Sequence, residues 1–146
     1  MMADSIIKQL SIFVNNEPGR LAYIASVLRE CGINMQAFNL AESTDFGILR
    51  AIVEDPEGAY SKLKAKGVIV RKTDVIGVIL EDTPGALFQA ADAFGKAGIN
   101  IEYGYAYSGK TGSVFYMRVN DPEKAVEVLK RDGIRLVSSG GFRWAI

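Results

Sequence analysis

The sequence predicts an α+β fold built from two βαββαβ units, and three observations carry that prediction. The 146-residue chain matches itself at an offset of 66 with no gap, each half alternates strand-like and helix-like segments in the same order, and 49% hydrophobic against 23% charged residues supplies a core. EPGRL at 17–21 aligns with TPGAL at 83–87, CGIN at 31–34 with AGIN at 97–100, DPEGA at 55–59 with DPEKA at 121–125, and LKAKG at 63–67 with LKRDG at 129–133. The identities gather at turns and helix ends. Two copies are too few for a solenoid, so a duplicated compact unit is the better interpretation.

Each element follows from period and punctuation. QLSIFVN at 9–15 and VIGVILE at 75–81 are short, β-branched apolar runs that end at polar residues, as strands do. Pro18-Gly19 and Pro84-Gly85 open helices, with proline at a first-turn position whose N–H has no partner. Leu21, Ile24, Leu28 and Cys31, like Leu87, Ala90, Phe94 and Ala97, keep helical spacing and define a buried stripe. Gly32 and Gly98 stop these helices where a left-handed residue is wanted. Strand pairs follow at about 34–42 and 47–53, and at 100–107 and 113–119, with turns at Ser43-Thr44-Asp45 and at Ser108–Gly112. Asp55-Pro56-Glu57 and Asp121-Pro122-Glu123 start the next helices with an Asp cap, a proline and an acid at the positive end of the dipole. Gly67 and Gly133 end them, and a last strand closes each unit. This order is the split βαβ, or ferredoxin-like, arrangement with helices on one sheet face.

The two units are expected at residues 6–73 and 74–146. No Pro-, Ser- or Gly-rich linker separates them, because VIVRKTDVIGVIL at 68–80 runs from one strand almost directly into the next. A lone unit of this size buries only ~60% of its unfolded surface and is marginal, so a pseudo-symmetric pair is expected.

Composition excludes several function classes. Seventeen Lys and Arg balance seventeen Asp and Glu, which argues against a nucleic-acid backbone or an anionic membrane as the main partner. The apolar runs are too short to span a bilayer, and the start, MMADSIIKQL, lacks the apolar stretch of a signal peptide. A single cysteine, Cys31, forms no internal disulfide, which together with that start leads us to expect a cytoplasmic protein. No histidine is present, which removes Ser-His-Asp and Cys-His arrangements, zincin motifs and the commonest acid-base group at neutral pH. Cys31 lies on a helix's apolar stripe with no histidine to activate it, so a buried structural thiol is expected rather than a nucleophile.

Some patterns lead elsewhere. Gly104 to Thr111 matches G-x-x-x-x-G-K-[ST], but alternating Tyr103, Tyr105 and Tyr107 mark a strand, and another strand follows, whereas a phosphate loop opens a helix. A hairpin turn is the expected structure. Residues 112–119 faintly resemble the aromatic strand of RNA-recognition domains, without the basic surface. The tyrosine stripe, with Phe115, Tyr116, Phe142 and Trp144 close in sequence, suits a half-buried sheet surface or a homodimer contact. The Gly-rich arginine loop of acylphosphatases, which share this topology, is absent after the first strand.

A βαββαβ unit with [N/D]-x-P-G-x-L at the first strand-to-helix turn and G-I-N before the second strand resembles an ACT domain. The motifs read Asn16-Glu17-Pro18-Gly19-Arg20-Leu21 and Asp82-Thr83-Pro84-Gly85-Ala86-Leu87, then Gly32-Ile33-Asn34 and Gly98-Ile99-Asn100. The resemblance implies two domains side by side in an eight-stranded antiparallel sheet, with a free amino acid bound at their interface. It further implies a stand-alone metabolic sensor or trans-acting regulator of amino-acid metabolism, not an enzyme, needing no cofactor or metal. A homodimer and an amino-acid biosynthetic enzyme are the implied partners. The alternative is a ligand-free structural or oligomerisation module that binds a protein partner.

The residue chemistry suits that implication. A glycine turn at the positive end of a helix leaves outward N–H groups for a carboxylate, and no Cβ obstructs approach at Gly19 or Gly85. Asn16, Asn34, Asp82 and Asn100 can accept hydrogen bonds from an ammonium, and Glu17 and Asp82 add opposite charge. Leu21, Met35, Leu87 and Ile101 are expected to line a side-chain recess, which points to a branched aliphatic or aromatic amino acid. Arg20 and Ala86 make the two turns inequivalent. Some serine-binding members place a histidine two residues before the turn Asn. Val14 stands there in this chain, against serine recognised in that manner.

Overall fold

The structure, a computed structural model, describes residues 2–42, 46–109 and 112–139. The described chain groups into two compact units. The first is Lys8–Thr73; the second runs from Asp74 onward and takes in the residues up to Ile7.

In the first unit, β1 (Ile6–Asn15), α1 (Arg20–Glu30), β2 (Met35–Glu42), β3 (Phe46–Val53), α2 (Pro56–Ala65) and the start of β4 (Val70–Glu81) follow in order. The strands lie in the order β2-β3-β1-β4. β1 is antiparallel to β3 with Leu10 opposite Ala51 and Ile12 opposite Leu49, and β3 is antiparallel to β2 with Leu49 opposite Leu40. Leu10, Ile12, Val14, Leu49, Ala51 and Val53 alternate along the strands and pack with Ile24, Val27 and Leu28 of α1 and Ala59 and Leu63 of α2. Both helices therefore cover one sheet face, as the period-two pattern requires.

The second unit repeats this with the rest of β4, then α3 (Ala86–Lys96), β5 (Ile101–Ser108), β6 (Gly112–Val119) and α4 (Pro122–Arg131). Its strands lie in the order β4-β6-β5. Ile76, Val78, Met117 and Val119 meet Ala90, Ala93 and Phe94 of α3 and Ala125, Val126, Val128 and Leu129 of α4. The α+β class and the βαββαβ order are as the sequence predicts.

Several expectations are corrected. Six strands are found among the described residues, not eight. The strands expected on either side of residue 74 are one continuous strand, β4, and the closing strand of the second unit is reduced to an isolated bridge between Leu136 and Val78. Pro18 and Pro84 lie in turns ahead of the helices, because Gly19 (φ 85°) and Gly85 (φ 92°) are left-handed caps and helical geometry begins one residue later. The buried stripes are Ile24, Val27, Leu28 and Ala90, Ala93, Phe94. Leu21 and Leu87, in the first turns, are 42% and 51% exposed, and Cys31 is half-buried.

Other expectations hold. Gly32, Gly67, Gly98 and Gly133 all have positive φ at helix ends. Asp55 and Asp121 cap α2 and α4, their Oδ1 atoms accepting from the Gly58 and Lys124 N–H groups at 3.1 Å. The segment that mimics a phosphate loop is β5, followed by the antiparallel β6, with the Gly109 N–H donating to the Gly112 carbonyl at 2.8 Å. Lys110 and Thr111 of that segment, the turn at 43–45, Phe142 and Trp144 lie outside the described residues.

Candidate functional site

The two Pro-Gly turns have nearly the same geometry. In the first, the Glu17 N–H donates to the Asn15 carbonyl at 2.9 Å, the Arg20 N–H to the Glu17 carbonyl at 3.2 Å, and the first helical bond joins the Tyr23 N–H to the Gly19 carbonyl. In the second, Thr83 donates to Glu81 at 2.8 Å, Ala86 to Thr83 at 3.4 Å, and Gln89 to Gly85. Neither helix has a side-chain cap. The N–H groups of Leu21 and Ala22, and of Leu87 and Phe88, therefore have no carbonyl within their helices. α2 and α4 differ, since an Asp carboxylate closes each start.

The surroundings of the turns diverge. The Arg20 guanidinium lies 5.0 Å over the Tyr23 ring, and its buried Nε meets no hydrogen-bond acceptor among the described residues. Asn16 and Glu17 are exposed. In the second unit, Ala86 leaves space where the first has that arginine. A recess of about 440 Å³ opens there, between the end of β4, the start of α3 and the segment Asp132–Arg135. Of the expected residues Gly85 and Ala86 line it, while Asp82 and Leu87 do not. Phe88, Gln89 and Arg135 line it without having been singled out. The helical spacing of 85, 88 and 89 was readable, but the return of residues 132–135 beside β4 depends on strand order. The Ile79 N–H donates to the Arg135 carbonyl at 3.0 Å, which fixes that return.

Asn34 and Met35, and Asn100 and Ile101, stand at the opposite ends of α1 and α3 from the turns. Eleven helical residues span about 16 Å, so no unit brings its Pro-Gly turn and its G-I-N motif together. Asn34 and Met35 line an open groove of about 470 Å³ with Ala25, Leu28, Arg29 and Phe38. Asn34 also borders a smaller recess of about 190 Å³ with Gln36, Glu54 and Lys62. Asn100 is held differently: its N–H donates to Asn120 Oδ1 at 3.0 Å, and the Asn120 N–H donates back to its carbonyl at 3.2 Å. Ile101 packs against the second unit's core. Among the described residues no group of three or more His, Cys, Asp or Glu could hold a metal ion, and no helix is long and apolar enough to cross a membrane.

A duplicated βαββαβ unit, each copy opening its first helix at an uncapped glycine turn, defines a ferredoxin-like domain pair. More particularly, the chain belongs to the ACT domain family: the family model "ACT domain pair" matches residues 5–142. Among solved structures, a protein of Bacteroides thetaiotaomicron is 38% identical, with a TM-score of 0.88 over 93% of this chain and 94% of that one. The ligand-free regulatory subunit of aspartate kinase from Thermus thermophilus shares the fold at 17% identity and a TM-score of 0.61, over 88% and 95% of the two chains. E. coli aspartokinase III, solved in complex with lysine and aspartate, does so at 16% identity and a TM-score of 0.53, over 86% of this chain and 31% of that one. No curated protein matches the chain.

Proposed function

We propose that this protein binds a free amino acid and serves as a metabolic sensor or trans-acting regulator of amino-acid metabolism, without catalysis of its own. The observation that carries this is the contrast among the four described helices. α2 and α4 begin under an Asp cap, whereas α1 and α3 begin at a bare glycine, and in the second unit that start forms the wall of a 440 Å³ recess. The ligand carboxylate sits at the Phe88 N–H group, where the helix dipole adds to the hydrogen bond. Its ammonium faces the acids of the same recess, Glu81 and Asp132, and its side chain lies along Phe88 and Ile134. Membership of the ACT family and the regulatory role named for the Thermus aspartate kinase subunit support the assignment. Occupancy acts by population shift, favouring whichever conformation the ligand contacts more. An amino-acid biosynthetic enzyme is the proposed target.

A thermal-shift panel of the twenty amino acids tests this. A ligand at ~100 times its dissociation constant adds ~2.7 kcal/mol, a rise of several degrees in a protein of this size. Ala86→Arg, which puts the first unit's residue into the second unit's recess, should abolish the response while leaving the unliganded midpoint nearly unchanged. No response from any amino acid would remove the sensor assignment.

One observation favours the alternative, an interaction module. Leu21, Tyr23, Phe38, Leu40, Leu87 and Phe88 are all large apolar side chains more than 40% exposed. A homodimer or an enzyme partner would cover them, and Phe88→Ser would then lower the mass measured by light scattering or abolish capture of that enzyme.

A further inference from the structure

We propose that the second unit carries a site for a small phosphate monoester with an apolar body, the chemistry of a nucleoside monophosphate, with the phosphoryl group held between Lys130 and Arg135.

The site is an open recess of about 490 Å³ at the end of α4, bordered by β4 at Ile79, by the returning segment 134–138 and by the residues just ahead of β1. All of these belong to the second unit, which takes in Asp4 and Ser5. A space of this size suits a small molecule. Two cations border it unpaired: neither the Lys130 ammonium nor the Arg135 guanidinium makes a hydrogen bond or ion pair among the described residues. Capping does not account for Lys130, because the Val128, Leu129 and Lys130 carbonyls at the end of α4 already accept from the Asp132, Ile134 and Gly133 N–H groups at 3.1, 2.9 and 3.1 Å. A third polar group is buried. Ser5 is 6% exposed and lines the recess, and its hydroxyl meets no partner among the described residues, whereas a buried hydroxyl is ordinarily hydrogen-bonded. Ser138 adds a hydroxyl at the rim.

This set of donors fits a phosphoryl group. A phosphate monoester carries nearly two negative charges and three acceptor oxygens, which two cations and two hydroxyls match. The guanidinium offers a planar fork and the ammonium a point charge. The facing wall is apolar, formed by Ile79, Ile134 and Leu136, and suits a base or other flat body. Two cations are too few to track a polymer backbone, in keeping with the chain's zero net charge. Asp4 also borders the space; it already has an interaction partner, and none of these donors depends on it.

The duplication supplies an independent argument, because the first unit uses the same positions differently. Lys64 corresponds to Lys130; it donates to the Tyr60 hydroxyl at 3.3 Å and lies 5.4 Å over that ring. Lys72 corresponds to Ser138 and donates to Glu57 Oε1 at 2.7 Å. Both lysines are thus engaged within their own unit. In the second unit buried Val126 stands in place of Tyr60, which removes the lysine's partner, and Arg135 stands in place of Ile69. One copy neutralises its cations internally; the other presents two around a recess.

The test is a titration of the ¹⁵N-labelled full chain with AMP at low ionic strength, where exposed charges are least screened, followed residue by residue in amide spectra. Saturable shifts are expected at Ser5, Ile79, Leu136 and Ser138, with adenosine and inorganic phosphate each about tenfold weaker or more. Lys130→Met and Ser5→Ala should each weaken AMP about tenfold, the loss of one hydrogen bond to a charged group. Arg135 lines both this recess and the one at the Pro84-Gly85 turn and is left unaltered, whereas Lys130 and Ser5 line only this one. Both variants should therefore keep any amino-acid response of the turn, and Ala86→Arg should keep the AMP shifts, so failure of the turn site and failure of this one are separable. No saturable shift with AMP, adenosine binding as tightly as AMP, or unchanged affinity in Lys130→Met overturns the proposal. Inorganic phosphate binding as tightly as AMP overturns the monoester assignment.

Discussion

Tyr116 is 3% exposed, and its ring centroid lies 6.0 Å from that of Tyr105, the residue opposite it on β5. Space for that ring comes from Gly77, where a Cβ would stand 3.1 Å from Tyr116 Cε1 and 3.3 Å from Val114 Cγ1. Burial pushes the phenol from its ordinary value of 10 up to about 12. The unfolded chain therefore loses this proton first, and between about pH 10 and 12 the folded state holds more protons, so stability falls as pH rises through that window. In Tyr116→Phe this contribution is gone, and the drop in melting temperature from pH 10 to 12 should be smaller than in the unaltered protein. Equal drops in the two proteins would mean that Tyr116 ionises as readily folded as unfolded. The sequence placed Tyr103, Tyr105 and Tyr107 on one face, and the alternating burial of β5 agrees. It could not show that Tyr116 lies across from Tyr105, because that pairing is set by strand register.

At the scale of elements, glycines made the helix ends legible and the helix starts less so. A helix-ending glycine has one local role, the left-handed position that Gly32 and Gly98 occupy. Pro-Gly before a helix admits two geometries, and proline at the first helical position is the commoner one. Here the glycine is itself left-handed, the helix starts after it, and Leu21 and Leu87 fall in an exposed first turn. The same shift separates the expected recess lining from the observed one. Not every glycine is constrained. Gly95 lies inside α3, is exposed, and has nothing within 4 Å of an added Cβ. Gly95→Ala should stabilise the protein by about 0.5–1 kcal/mol, through reduced freedom of the unfolded chain. A denaturation midpoint that falls would place an unrecognised constraint at that position.

For the whole molecule, the duplication is the feature the sequence revealed most directly, since an ungapped match transfers every loop length from one copy to the other. What the copies have done since is visible only in the structure. At equivalent places one unit has a guanidinium over a tyrosine and the other an open recess, and one has Glu54 and Lys62 bordering a recess where the other has an asparagine clasp. The strand count differed for a reason of the same kind. The absence of a linker at 68–80 was readable, yet whether two strands abut or fuse depends on hydrogen bonding to neighbours.

The fused strand imposes a rule of parity. β4 contributes Val70 to one core and Ile76 and Val78 to the other, all at even-numbered positions of a single alternating strand. The offset of 66 is even as well, so Leu10 and Ile12 correspond to Ile76 and Val78 in facing as well as in place. One residue inserted between Gly77 and Val78 would reverse the facing of everything on one side of it and turn either Ile76 or Val78 out of the second unit's core. At roughly 1.5–3 kcal/mol for each buried aliphatic side chain, that change should lower the melting temperature by many degrees. Two inserted residues restore the alternation and should cost much less, so chain length within this strand can drift only in steps of two.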